Sequence, residues 1–261
     1  MTKQSITLYT TYYHEKDNDR RAELELAIVA NTKNLAISKI VILNEGGDLS
    51  FARNEKVIII SIANRPYYSD FFQLINTTAT AADVSIIANT DIFFDTNINV
   101  LEYLPFNNCC FALSRWYLNQ KGRYQLYNRN DSQDVWIFKG RVKNNLFGDF
   151  SIGVPRCDNR LLYELKKAGY KVCNPAYSIK TFHLHKDAIN GYPVGNSPGY
   201  ISEPYGYLFP HNQYNLINTL RFNFTHKCKL SSYRYDIKKI NKWLVIRLIR
   251  KLINFPLIGY K

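Results

Sequence analysis

Along the first hundred residues, short apolar runs alternate with longer stretches whose apolar positions recur every three or four residues. The runs over 6–13, 39–44, 57–62 and 84–88 are rich in β-branched residues and have the length of strands. Residues 20–31 hold good helix formers with Leu24, Ala27 and Ile28 on one stripe, and 68–82 reads as a second helix. Polar turns close the early strands, at 14–19 and again at 44–48, where Asn44, Glu45, Gly46, Gly47 and Asp48 follow one another. Strands and helices alternating at this spacing predict a parallel α/β sheet with crossover connections. The apolar run over 84–88 predicts a strand buried on both faces.

The second half changes character. Residues 106–116 and 135–138 read as strands, with a Tyr- and Asn-rich stretch between them. A helix is predicted over 158–169, with Asp158 at the N-cap, Leu161, Leu162 and Leu165 as its apolar stripe and Gly169 as its stop. A strand starts at 171–173, and another is predicted leading through 179–185. The Gly-, Pro- and Tyr-rich stretch over 191–211 predicts a long loop at the mouth of a site. No internal repeat and no low-complexity linker interrupts the chain.

At 261 residues the chain can bury a sizeable core. It has no run of eighteen uncharged apolar residues, so no membrane-spanning helix is expected. Residues 1–13 lack a basic-then-apolar leader pattern, and a cytosolic chain is expected. The five cysteines have neither C-x-x-C pairing nor zinc-ligand spacing, so free thiols are expected.

The net charge of +13 is unevenly placed. Residues 221–261 hold 11 Lys/Arg against one acid, Asp236, which leaves only +3 for residues 1–220. That division argues against a nucleic-acid-binding face spread over the fold. It suggests an α/β domain over 1–220 and a basic extension over 221–261. Within 238–255, Arg247, Arg250, Lys251 and Asn254 form one polar stripe, and Trp243, Leu244, Leu248, Ile249, Leu252, Ile253 and Phe255 fill the remainder. Such a basic amphipathic helix suits an anionic membrane surface. A terminal helix packed on the domain, and a tail gripping nucleic acid with Tyr233 and Tyr235 interleaved among its bases, are the alternatives.

Candidate chemistry gathers at strand ends. The 84–88 run stops at Asn89, Thr90 and Asp91, which places oxygen ligands where the chain leaves the sheet. A carboxylate there suits a hard divalent cation, and such a cation suits a diphosphate; an Asx-type turn explains the same residues without function. Downstream, Ser132, Gln133 and Asp134 precede an apolar run, and Arg156 to Arg160 open the 158–169 helix around Asp158. Both acids can be catalytic, or Asp134 can close a turn and Asp158 can cap the helix. His183 and His185 fall on one face of a strand, a geometry for a metal ligand and its neighbour or for two structural histidines. No G-x-G-x-x-G and no P-loop lysine is present, which argues against a dinucleotide oxidoreductase or a P-loop NTPase.

Four features in order carry a resemblance over about residues 5–190: the βαβ half, the D-x-D-like Asn89-Thr90-Asp91, the acid Asp158 opening D-N-R-L-L-Y-E-L-K-K-A-G-Y-K-V, and a histidine some twenty-five residues on. The chain resembles GT-A-fold, nucleotide-sugar-dependent glycosyltransferases of the kind grouped with the family-two enzymes. The resemblance implies a mostly parallel sheet flanked by helices, a divalent metal (Mn or Mg) and a nucleotide-diphosphate sugar. Asp91 would bind the metal, with Asn89 in place of the first acid of the motif. Asp158 would be the general base, with Cys157 where a glutamate is expected. Asp134 would be a rival base or a contact to the donor sugar. His185, or failing that His183, would meet the metal or phosphate. Thr10, Thr11, Glu45 and Arg65, together with Asn89 and Thr90, would line the nucleotide. The implied activity is inverting transfer to a glycan or lipid-linked oligosaccharide at the inner face of a membrane, in surface polysaccharide, lipopolysaccharide or capsule synthesis. A sugar nucleotidyltransferase should carry a Gly-rich basic loop after the first strand, and residues 10–19 lack one.

Overall fold

The structure, a computed structural model, describes residues 5–102, 104, 108–119, 122–184 and 199–210. His185, most of the predicted 191–211 loop, the 220/221 boundary and the basic tail with its 238–255 stripe lie outside the described residues.

The four early strands form as their apolar runs predict: β1 (Ile6–Tyr12), β2 (Lys39–Asn44), β3 (Val57–Ser61) and β4 (Val84–Ala88). Helix α1 (Asn18–Lys33) follows β1 and α2 (Tyr68–Thr78) follows β3. Between β2 and β3 the crossover holds only a 3₁₀ turn at Ser50–Ala52. Later come β5 (Ile92–Phe94), β6 (Cys109–Leu113), β7 (Trp116–Leu118), β8 (Tyr124–Leu126) and β9 (Val135–Lys139). Helix α3 (Cys157–Lys167), β10 (Lys171–Cys173) and β11 (Thr181–His183) complete the order.

Seven strands make one sheet in the order β10-β6-β9-β4-β1-β2-β3. The β1–β2, β2–β3, β1–β4 and β6–β10 pairs are parallel, and β9 runs antiparallel between β4 and β6. This is the mostly parallel, helix-flanked α/β sheet expected from the pattern. Period-two alternation divides its side chains between two cores. Ile6, Leu8, Ile86 and Ile137 face one way, against Leu24 and Ile28 of α1. Tyr9, Ile87, Trp136 and Phe138 face the other, against Phe71 and Ile75 of α2 and Leu161 and Leu165 of α3. Each such fully buried side chain contributes roughly 1.5–3 kcal/mol relative to exposure.

A second sheet, β5-β11-β7-β8, is built from three-residue strands that carry no readable period. The strand expected over 106–116 therefore divides. It leaves the large sheet at Leu113 and re-enters the small one at Trp116, with Ser114 N–H donating to Asn174 Oδ1 at 3.1 Å across the break.

Helix α3 departs from expectation at one end and agrees at the other. It starts at Cys157, with Arg156 at the N-cap in the left-handed region (φ 74°), so Asp158 lies in the first turn and is not the cap. At its end Gly169 (φ 81°) sends its N–H to Lys166 O and Tyr170 sends its own to Leu165 O, both at 3.0 Å. That pair of hydrogen bonds is a Schellman stop, whose left-handed residue favours glycine. Cys109, Cys110, Cys157 and Cys173, the cysteines among the described residues, are buried thiols that form no disulfide.

Candidate active site

The carboxyl ends of β1, β2, β3 and β4 meet at one edge of the sheet, the edge at which open α/β sheets bind ligands. The seam between β1 and β4 is closed by threonines. Thr10 Oγ1 donates to Ala88 O at 3.0 Å, Thr90 Oγ1 donates to Thr11 O at 2.8 Å, and the Thr11 and Thr90 hydroxyls lie 2.9 Å apart. All three are buried, so their hydroxyls fix the backbone that carries Asp91.

Asp91 is buried and bound on one oxygen. His183 Nε2 lies 2.9 Å from Oδ2, and Arg20 Nη2 donates to the same oxygen, while Arg20 Nη1 reaches Glu23 Oε2 at 3.0 Å. The small sheet produces this encounter, because β11 pairs His183 with Ile92, the residue after Asp91. Burial pushes the Asp91 carboxyl up, but His183 and Arg20 outweigh it and hold the group well below the ordinary carboxylate range. Its other oxygen, Oδ1, is buried with no hydrogen-bond partner, and so is Asn89 Oδ1. Two orphaned oxygens and an imidazole are a donor set that fits a hard or borderline divalent ion. Among the described residues no group of three or more His, Cys, Asp or Glu gathers for a metal, so other ligands would have to come from elsewhere, such as diphosphate oxygens.

Beside Asn89 stands Asp134, at the entry to β9. Asn89 Nδ2 donates to its Oδ1 at 3.1 Å, and Arg115 Nη1 lies 2.9 Å from each of its oxygens. Arg115 also stacks over the Tyr127 ring at 4.5 Å. Removing the guanidinium would leave a buried carboxylate without its counter-charge. Arg115→Met is therefore expected to lower stability by about 3 kcal/mol. Thermal melting checks it, and Asp134→Asn in the same chain should restore part of the loss.

Asp158 is half-buried one step further along. Its Oδ1 accepts from Asn159 N–H at 2.8 Å and its Oδ2 from Gln133 N–H at 3.3 Å, so it sits directly behind Asp134. Burial, reinforced by the charges of Asp134 and Asp131, pushes its carboxyl up to about 7, against the pull of the Asn159 N–H and Arg156. Asp131 is buried against Arg129, with contacts of 2.9 and 3.0 Å.

At the ends of β2 and β3, Arg65 is exposed and lies 5.7 Å from the Tyr13 ring centroid. Glu45 is close enough that burial raises its carboxyl while Arg65 lowers it. Thus Arg65 lies against both Glu45 and Tyr13, while Asp91 is paired with His183, Asn89 with Asp134, and Asp134 lies close enough to Asp158 to raise its carboxyl. A cavity of about 290 Å³ lies elsewhere, at the opposite end of the strands among Ser5, Lys39, Ile58 and Asp83, and no candidate site residue lines it. Sequence reasoning missed Arg20 and Arg115. One reads as a helix opener and the other as the last-but-one residue of a strand, and neither has a local signal of its partner.

No protein-family model matches the chain, and no curated protein matches it. Among solved structures it is similar to a mannosyltransferase from Pyrobaculum calidifontis in complex with GDP-Man and Mn2+, at 12% identity and TM-score 0.48 over 73% of this chain and 59% of that one. It is also similar to GalNAc-T7 with UDP, GalNAc and Mn2+, at 9% identity and TM-score 0.45 over 71% of this chain and 44% of that one. A third is 4-diphosphocytidyl-2C-methyl-D-erythritol synthase from Anaerococcus prevotii, at 11% identity and TM-score 0.40 over 65% of this chain and 86% of that one. The chain thus spans about half the length of the first two, and the likeness is confined to fold.

Proposed function

We propose that the protein is a glycosyltransferase that moves a sugar from a nucleotide-diphosphate donor to a hydroxyl of a glycan or lipid-linked acceptor. The observation that carries this reading is the buried Asp91 just past the carboxyl end of β4, 2.9 Å from His183, with its own Oδ1 and the Oδ1 of Asn89, two residues earlier, both buried without a hydrogen-bond partner. Asp91, His183 and Asn89 Oδ1 would hold a divalent ion, Mn or Mg. When bound, such an ion neutralises charge on the departing diphosphate. Glu45 and Arg65 suit the ribose and base, with the Arg65 guanidinium and Tyr13 ring offering stacking faces.

Asp158 is the group best placed to take the acceptor's proton. A carboxyl held near 7 is half ionised at working pH and basic enough to accept a proton from a positioned hydroxyl. Asp134, by contrast, is ion-paired through both oxygens to the Arg115 guanidinium and orients the Asn89 amide. Inversion at the anomeric carbon follows from a base acting on the acceptor in line with the diphosphate. The basic stripe of 238–255 suits an anionic membrane carrying a lipid-linked acceptor, as in surface polysaccharide synthesis. Among the described residues no helix is long and apolar enough to cross a membrane.

A screen of nucleotide-sugars, with and without Mn, tests the reading by thermal shift and by release of nucleoside diphosphate. A donor at about 100 times its Kd adds about 2.7 kcal/mol, a rise of roughly 5–10 °C for a chain of this size. Release of pyrophosphate from a nucleoside triphosphate and sugar phosphate would instead make the protein a nucleotidyltransferase. Stabilisation without turnover would leave a non-catalytic nucleotide-sugar-binding protein, and absence of both across the panel would overturn the reading.

A further inference from the structure

Arg20 stands in the first turn of α1, and its guanidinium joins Asp91 to Glu23. Its side chain keeps 29% of its surface open, whereas Asp91 keeps 10%. A guanidinium has five N–H donors in a rigid fork, and Asp91 and Glu23 each engage one nitrogen of it. The remaining donors can meet an oxygen ligand that enters the cleft. Asp91 in turn offers Oδ2 to Arg20 and His183 and keeps a buried Oδ1 unpaired. One acid and one arginine therefore face the proposed diphosphate position.

We propose that Arg20 is a built-in counterion that exchanges between Asp91 and a phosphate oxygen of a bound nucleoside diphosphate, so that the diphosphate binds without a divalent ion and a metal competes with the guanidinium for Asp91. This rests on reading the cleft as a diphosphate site. Planar guanidinium binds carboxylate and phosphate with the same two-pronged geometry, so the exchange needs a change of partner and no change of chemistry. Two effects of opposite sign follow from removing it. Asp91 is released, so metal binds more tightly; the phosphate loses its cation, so metal-free nucleotide binds more weakly.

The test uses the full chain, with Arg20→Gln and Arg20→Lys. Mn²⁺ titration of nucleotide-free protein by electron paramagnetic resonance reads the gain in metal affinity, and calorimetric titration with UDP and with GDP in EDTA reads the loss in nucleotide affinity. Arg20→Gln is expected to weaken diphosphate binding in EDTA about tenfold and to tighten Mn²⁺ about tenfold. Arg20→Lys keeps the buried charge balanced and the protein folded, and loses the fork, so its metal-free diphosphate binding falls severalfold. General damage to the fold moves both affinities downward together, and that result, or no change in either, overturns the inference. Binding of UDP or GDP to the wild type only when Mn²⁺ is present overturns it while leaving the proposed function intact. No binding of either nucleotide with or without Mn²⁺ overturns both.

Discussion

Asp158→Asn is expected to stop sugar transfer while making the folded protein more stable at pH 8. The carboxyl is pushed from an ordinary 3.8 up to about 7 by burial and by Asp134 and Asp131. Between those values the native state holds a proton that the unfolded chain has released, so wild-type stability falls as pH rises from about 4 to about 7. Above that window the native state carries a charge it would rather not hold. The interval sets a ceiling of about 4 kcal/mol, and solvent reaching the half-buried group reduces it to roughly 2 kcal/mol. An amide keeps the acceptor for Asn159 N–H at 2.8 Å and gives up the longer one for Gln133 N–H at 3.3 Å, but it carries no charge, which removes the larger penalty. Melting at pH 8 should then occur about 4–8 °C higher in the variant. Turnover should fall by at least about a hundredfold, the usual contribution of a general base, with donor binding unchanged. If Asp158→Asn turns over normally and Asp134→Asn does not, the base is Asp134.

The second large effect is that of Asp91→Ala, which should abolish transfer and destabilise the fold together. Arg20 and His183 both lean on the same carboxylate oxygen, and removing it leaves a mostly buried guanidinium without its main counter-charge. Breaking such a pair costs about 3 kcal/mol. The sign with pH is opposite to that of Asp158. The Asp91 carboxyl is held below its ordinary 3.8, so its contribution is complete above that value and is lost as pH falls further. Denaturant titrations should show the difference between wild type and variant constant from pH 6 to 8 and shrinking below pH 4. A difference that persists undiminished in acid would mean that packing, not charge, accounts for Asp91. The two substitutions thus separate a residue that weakens the fold for chemistry from one that holds the fold and the chemistry at once.

The amino-acid pattern by itself determined the sheet's four early strands and its three helices, and it nominated the polar residues at their ends. These features are local. A β-branched run such as 84–88 declares a strand within five residues, and Leu161, Leu162 and Leu165 declare a helix face within one turn. Asp91, Asp134, Asp158 and His183 could be nominated because they stand at the ends of such elements. What surrounds them was decided in three dimensions. Asp91 meets Arg20 across 71 residues and His183 across 92, and Asp134 meets Arg115 across a break between two sheets. Those encounters depend on strand order and on β5, β7 and β11, three-residue strands too short to announce themselves. Periodicity reports which side of an element faces the core, whereas an ion pair depends on which elements become neighbours. For that reason the acids were legible in the chain, and the arginines that set their charge emerged only when the chain was folded.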